Sequence, residues 1–243
     1  MTVVDKRVVV VTGASSGIGR QVAYDLARLD YAVVLNGYHS PARLESVSGR
    51  ISLEGGCAYT VVADVGDPGQ CRSLVAQAHG RYGRLDALVA CAGIPMHDEP
   101  QEQDFTAYAA PKLYGLSALI ESALEAGVCS VVAVSSVPFG NPLSGAVQAG
   151  VRELVRQYAG RYACKGVRVN SVSPGWTLTR MTMDNFSTEE RALAAGSAPL
   201  IGRLLEPAEV SSVITFLLGH PGITGQDIVV DGGYSFGARS AQT

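Results

Sequence analysis

Lysine is scarce in this chain of 243 residues: of its 19 basic residues, only Lys6, Lys112 and Lys165 are lysines. Against 22 acidic residues the formal net charge is −3, and no basic stripe runs along the chain, which excludes a nucleic-acid backbone as partner. Long apolar runs are also missing. The stretches at 7–12 and 87–96 fall well short of the roughly 20 residues that a membrane-spanning helix needs, so no membrane partner is expected. Asp5, Lys6 and Arg7 stand where a secretory signal would be apolar, and cytoplasmic residence is expected. The five cysteines, at 57, 71, 91, 129 and 164, form no CxxC and leave one over, which reads as reduced thiols. His39, His79, His97 and His220 lack ligand spacing, so no metal is expected. Without a linker, charge block or internal repeat, the chain reads as a single domain over 1–243, with a short polar, disordered tail after about 237.

What is present is alternation. β-Branched runs at 7–12, 31–36, 57–63, 85–90, 130–135, 167–172 and Asp227–Val230 are separated by amphipathic, helix-length stretches, the first at 17–30. Most of these runs lack a polar alternation, as expected of strands covered by helices on both faces. The class is therefore α/β: a doubly wound, mostly parallel seven-stranded sheet with right-handed crossovers. Such sheets bind ligands outside the carboxyl ends of their strands, at the switch point in strand order.

Thr12-Gly13-Ala14-Ser15-Ser16-Gly17-Ile18-Gly19 follows the first strand and opens the first helix. Glycine permits the tight turn and lets backbone N–H groups approach a diphosphate, whose charge the helix N-terminus favours. Gly13, Ser15, Ser16, Gly17, Ile18 and Gly19 are the candidate diphosphate residues, in a GxxxGxG spacing; a purely structural turn is the alternative. A carboxylate about 20 residues further on would mark NAD. Here Asn36-Gly37-Tyr38-His39-Ser40 contains no acid, and Arg43 follows. Asn36, His39, Ser40 or Arg43 could accept a 2′-phosphate, which favours NADP(H) over NAD(H); solvated loop residues are the alternative. Asp64-Val65 is placed to meet the adenine amino edge, and Asp64 also reads as a cap for the helix starting at Asp67-Pro68.

With Cys91-Ala92-Gly93, Val134-Ser135-Ser136, the run Val169-Asn170-Ser171-Val172-Ser173-Pro174-Gly175, and Val230-Asp231-Gly232-Gly233, the chain resembles the short-chain dehydrogenase/reductase family over nearly its whole length. The resemblance implies a Rossmann fold and hydride transfer between a nicotinamide and a carbonyl or alcohol of a small molecule. It implies that Ala92 and Gly93 pass beside the cofactor ribose. Pro174 and Gly175, with Thr177 or Thr179, would enclose the nicotinamide amide and the diphosphate. A homotetramer or homodimer is implied too, packed through the 151–162 helix and the C-terminal strand, with the apolar 207–218 helix and 227–233 strand as candidate faces. In the family a Ser holds the substrate oxygen, a Tyr is the general acid/base, and a Lys four residues after the Tyr lowers its pKa. An Asn on the preceding helix supports a water relay. The cation matters, because a phenol with a pKa near 10 is a poor acid/base at neutral pH.

Ser136 falls at the Ser position, but aligning Ala149-Gly150-Val151 with the family puts Ser144 at the Tyr position and Gln148 at the Lys position. The 136–144 segment is short, and no Tyr or Lys lies between Ser136 and Tyr158. The run Ala110-Pro111-Lys112-Leu113-Tyr114-Gly115 places Lys112 at the Asn position and resembles the ketoreductase domains of modular polyketide synthases. There the lysine comes from the earlier helix and the amide from the later one, as Lys112 and Gln148 would. Tyr108, four residues before Lys112, shares its face if the helix is continuous. Pro111 instead favours a helix that begins near it and leaves Tyr108 outside. Tyr108 is a proton-donor candidate or a packing residue, Lys112 a functional ammonium or a surface lysine, and Ser144 can orient a substrate but not replace a phenol. Trp176, Met181 and Met183 line a substrate pocket or merely cover the cofactor cleft. Three functions stay open: an NADP(H)-dependent ketoreductase of an acyl, polyketide-like or other small-molecule carbonyl; a catalytically degenerate subunit or binding module in a hetero-oligomer with an active paralogue; and a non-redox dehydratase, isomerase or cyclase.

Overall fold

The computed structural model describes residues 6–94, 105–139, 141–185 and 199–240, so that Met96 and His97 lie outside the described residues. Seven strands, β1 (Val8–Thr12), β2 (Ala32–Gly37), β3 (Cys57–Val62), β4 (Ala87–Ala90), β5 (Ser130–Val134), β6 (Arg168–Pro174) and β7 (Asp227–Val230), pair in parallel in the order β3-β2-β1-β4-β5-β6-β7. The uniformly apolar runs follow from burial on both faces. Val8 and Val10 enter one core with Leu74 of α3 (Pro68–Tyr82), Leu119 of α5 (Tyr114–Glu125) and Val155 of α6 (Pro142–Tyr162). Val9 and Val11 enter the other with Leu26 of α1 (Gly17–Arg28), Leu44 of α2 (Pro41–Leu53) and Ile214 of a C-terminal helix, Pro207–Gly219. Among the described residues no helix is long and apolar enough to cross a membrane.

The strand order reverses between β1 and β4, and a crevice opens at their carboxyl ends. The Ala92 amide donates to Thr12 Oγ1 across this junction at 3.1 Å. Helix α3 is capped by Asp67, whose Oδ1 accepts from the Gly69 amide at 2.6 Å. Asp64 is therefore not the cap. Its Oδ1 accepts from the Gly66 amide at 2.8 Å and shapes the turn after β3.

The expectation that Pro111 starts a helix and leaves Tyr108 outside is corrected. Helix α4 (Phe105–Lys112) begins upstream and carries both Tyr108 and Lys112, with Pro111 inside it. Proline removes one N–H, and the cost stays small because α4 ends one residue later. Leu113, at φ −114° and ψ −66°, turns the chain into α5 while its amide still donates to Ala109 O at 2.8 Å. Helix α6 starts at Pro142, where Asn141 Oδ1 accepts from the amides of Leu143 and Ser144 at 3.0 and 3.1 Å. After α6 come α7 (Arg180–Asn185), α8 (the Pro207–Gly219 helix) and α9 (Tyr234–Ser240). Asp231 accepts from the amides of Gly233 and Ser235, each at 2.8 Å, and anchors the start of α9; residues 241–243 of the expected polar tail lie outside the described residues.

Candidate active site

A cleft of about 1110 Å³ lies over the carboxyl ends of the strands, and the candidate cofactor and catalytic residues read from the sequence line it. At one end the Thr12–Gly19 turn enters α1. Gly13 sits at φ +65°, where a Cβ would come within 3.0 Å of both Cα and N of Ala92; a Cβ on Gly19 would strike the Gly13 carbonyl. The turn therefore packs tightly on β4 and presents its backbone to the cleft. Ser16 makes no side-chain cap, which leaves first-turn N–H groups of α1 for a ligand, and no acid occupies that turn to repel an anion. A Cβ on Gly17 would meet the Thr179 methyl at 3.2 Å, so Thr179 closes over the turn. Such a cradle fits a dinucleotide diphosphate.

Asn36 is not a free phosphate ligand. It is buried, and its amide donates to Val61 O at 3.2 Å and Ala63 O at 3.0 Å, fastening β2 to β3. His39 packs against Tyr38 with centroids 4.6 Å apart and the rings tilted by 58°, and Ser40 and Arg43 stand at the start of α2, where no acid occurs in the first turn. The positive end of a helix and an arginine thus meet at this rim. Asp64 and Val65 line the adjoining wall.

The floor carries Lys112. Its Nζ donates to Val134 O at 2.8 Å, at the end of β5. A Cβ at Gly93 would lie 2.6 Å from Lys112 Cε and 3.1 Å from Nζ, so only glycine lets the side chain lie there. Part of Lys112 stays open to the cleft, yet burial pulls its pKa down to about 8, against the opposing pull of Cys91. Burial pushes the Cys91 thiol up to about 12, so it stays protonated and inert. Lys112 is therefore a cation of the cleft rather than of the outer surface.

Tyr108, from the same helix, is buried, and its hydroxyl meets Ser144 Oγ at 2.8 Å and receives the Gln148 amide at 2.8 Å. The phenol of α4 thus reaches the two α6 positions where the family keeps its Tyr and Lys. Gln148 Oε1 accepts from Ser135 Oγ at 3.1 Å, behind Ser136, whose own Oγ donates to Val137 O at 3.0 Å and which lines the cleft. Sequence reasoning missed Arg152. Its Nη1 donates to Ser136 O at 3.3 Å and approaches Ser135 Oγ at 3.4 Å; the available signal was its place one helical turn after Gln148.

On the opposite wall Gly175 is pressed against Asp231, whose Cβ would lie 2.7 Å from a Cβ on the glycine. Thr177 is buried with its hydroxyl on Gly175 O at 3.0 Å, and Thr179 Oγ1 accepts from the Thr182 amide at 3.2 Å. Trp176 and Met181 line the cleft with Pro174, together with Phe139 and Tyr234, two rings not foreseen from the sequence; Met183 is exposed and outside it.

Comparisons with known proteins agree with this architecture. A family model described as enoyl-(acyl carrier protein) reductase matches residues 13–235. Cis-4-hydroxycyclohexanecarboxylate dehydrogenase of Sinomonas cyclohexanicum is 36% identical over 95% of this chain and 97% of its own. The 3-oxoacyl-(acyl-carrier-protein) reductase FabG of Staphylococcus aureus is 32% identical over 92% of this chain and 96% of its own. The crystal structure of a variant of the actinorhodin polyketide ketoreductase with NADPH, 27% identical, superposes with a TM-score of 0.89 over 96% of this chain and 99% of that one. Fold, nucleotide turn and relatives place the chain in one family: it is a short-chain dehydrogenase/reductase, built as a nicotinamide-dependent oxidoreductase.

Proposed function

We propose that the protein is an NADP(H)-dependent reductase of a small-molecule carbonyl whose proton machinery comes from α4. The observation that carries this reading is the reach of Tyr108 and Lys112 from one helix into one cleft, with the Tyr108 hydroxyl bonded to Ser144 and Gln148. When bound, the reduced nicotinamide supplies the hydride that reaches the carbonyl carbon. Ser136 holds the carbonyl oxygen by a hydrogen bond. Lys112 stabilises the negative charge that develops there, in a setting where water is scarce and the charge counts for more. Tyr108 gives its proton to that oxygen and is reprotonated from water of the cleft through the Ser144 hydroxyl, which takes up one proton as it passes one on, while the Gln148 amide donates to the phenol oxygen. Arg152 and Ser135 keep Ser136 and Gln148 in place.

Preference for NADP(H) is supported by the lack of acid between Asn36 and Ser40 and by Arg43 at the α2 N-terminus. The actinorhodin ketoreductase, solved with NADPH, is a structural relative of that kind. Self-association is part of the proposal: Phe216 on α8 and Val229 on β7 are both more than half exposed, and light scattering should give a dimer or tetramer. The test of function is consumption of NADPH by the purified chain with ring ketones and β-keto thioesters. Turnover with at least one class, lost in Lys112→Ala, is expected; NADPH binding without any turnover would overturn the reading in favour of a non-catalytic subunit.

A further inference from the structure

Three aromatic side chains from separate elements converge on the cleft: Phe139 from the loop after β5, Trp176 from the loop after β6, and Tyr234 at the start of α9. Phe139 and Trp176 have centroids 4.2 Å apart at 37°, and Phe139 and Tyr234 5.5 Å apart at 53°. The chain is poor in aromatics, at 7%, and holds a single tryptophan, which stands here. None of the three rings is fully buried, so the cluster gives a face to the cleft instead of closing into a core.

The cluster is held in place before any ligand arrives. The Val137 amide donates to Pro174 O at 3.1 Å, tying the two ring-bearing loops together, and Trp176 O accepts from the Leu205 amide at 2.9 Å. Its position is tied to the reacting centre by sequence: Phe139 is three residues from Ser136, and Trp176 directly follows Pro174-Gly175. Residues 135–139 and 174–177 contain no charged side chain. A substrate whose oxygen sits at Ser136 therefore lays the atoms next to its carbonyl on uncharged rings.

We infer that the substrate carries a planar, uncharged aromatic ring at or next to the carbonyl, and that Phe139 and Trp176 select it by stacking. Resting on the reductase reading, this deepens it by naming the substrate class. An open aliphatic chain gains area but no ring–ring geometry from such a face, and stacked pairs differ from it by about two- to tenfold in affinity.

The sole tryptophan reports binding without turnover. The full chain, loaded with NADP+ so that no ketone is reduced, is titrated with 1-tetralone and with 2-decanone, ketones of equal carbon count, while Trp176 fluorescence is followed with correction for ketone absorbance. Saturable quenching by 1-tetralone is expected, at least fivefold tighter than 2-decanone measured by calorimetry. Phe139→Leu should erase that preference by weakening 1-tetralone alone, and Phe139→Tyr should restore it. If Phe139→Leu fails to fold by circular dichroism, Trp176→Leu read by calorimetry carries the same test. Equal affinity for both ketones, no binding of 1-tetralone, or equal weakening of both by the ring deletions overturns the inference. Ring preference without NADPH consumption would overturn the reductase reading alone, and consumption without ring preference would overturn this inference alone.

Discussion

Replacing Lys112 by methionine should make the protein more stable and inactive at the same time. The ammonium is held at a pKa of about 8 against an ordinary 10.5, and burial is the cause. At about 1.4 kcal/mol per tenfold change in the proton equilibrium, such a fall corresponds to about 3 kcal/mol of disfavoured charge in the folded state at pH 7. The side chain keeps a wet face on the cleft, which reduces this to about 2 kcal/mol, and losing the bond to Val134 O offsets about 1 kcal/mol. A net gain of about 1 kcal/mol should raise Tm by about 2–4 °C in a chain of this size. The sign follows from where the charge is lost. Below pH 8 the folded lysine is charged in a site that disfavours charge, so its cost is complete there. Between about pH 8 and 10.5 it is neutral when folded and charged when unfolded, so the cost fades and the Tm gap between variant and wild type closes and then reverses, since the lost bond to Val134 O remains. Thermal unfolding of both proteins from pH 7 to pH 10.5 measures this, and the variant's kcat/KM should fall by about 100-fold or more. A variant less stable at pH 7, or a gap that persists unchanged to pH 10.5, would refute the assignment of Lys112 as a buried cation.

Three further outcomes test the rest of the site. Tyr108→Phe removes the hydroxyl that Ser144 and Gln148 both bond, and kcat should drop by about 10²–10⁴-fold with KM nearly unchanged in steady-state assays. Gly93→Ala drives a methyl into Lys112 Cε, and should cost at least about tenfold in kcat/KM while altering the alkaline limb of the pH–rate profile, a limb that should fall above about pH 8 in the wild type. Arg43→Ala should weaken NADPH about tenfold by calorimetry and leave NADH unchanged; equal losses for both would place Arg43 away from a 2′-phosphate.

The fold was legible because each strand is a β-branched run closed by turn residues, and Val8–Thr12 could only be a strand buried on both faces. The cleft was legible for the same reason: in a doubly wound sheet the residues after the strands must gather at one edge. Roles inside the cleft were harder to read. Asn36 looked like a polar ligand, yet its amide meets carbonyls of Val61 and Ala63, contacts set by the pairing of β2 with β3. Asp64 suited a cap, yet Asp67 fills that place because α3 starts only at Pro68. Pro111 misled because its cost depends on how far the helix continues beyond it, which composition does not state.

The stability cost of Lys112 bears on the competing readings of this chain. A scaffold kept only for binding has no use for an ammonium at the floor of its cleft, and methionine of similar length would fill the same space without the charge penalty. Two other features accompany that lysine: Gly93 leaves the space its side chain occupies, and α4 tolerates an internal proline while holding Lys112 and Tyr108 one turn apart. Local rules are broken together where a chemical group must stand, as expected at a functional site. The cation and the phenol that the α6 positions Gln148 and Ser144 do not supply are both brought from α4, and the hydrogen bonds from Tyr108 to those same two residues join the two helices into one site. That arrangement is the ground on which the reductase proposal is preferred to a binding module.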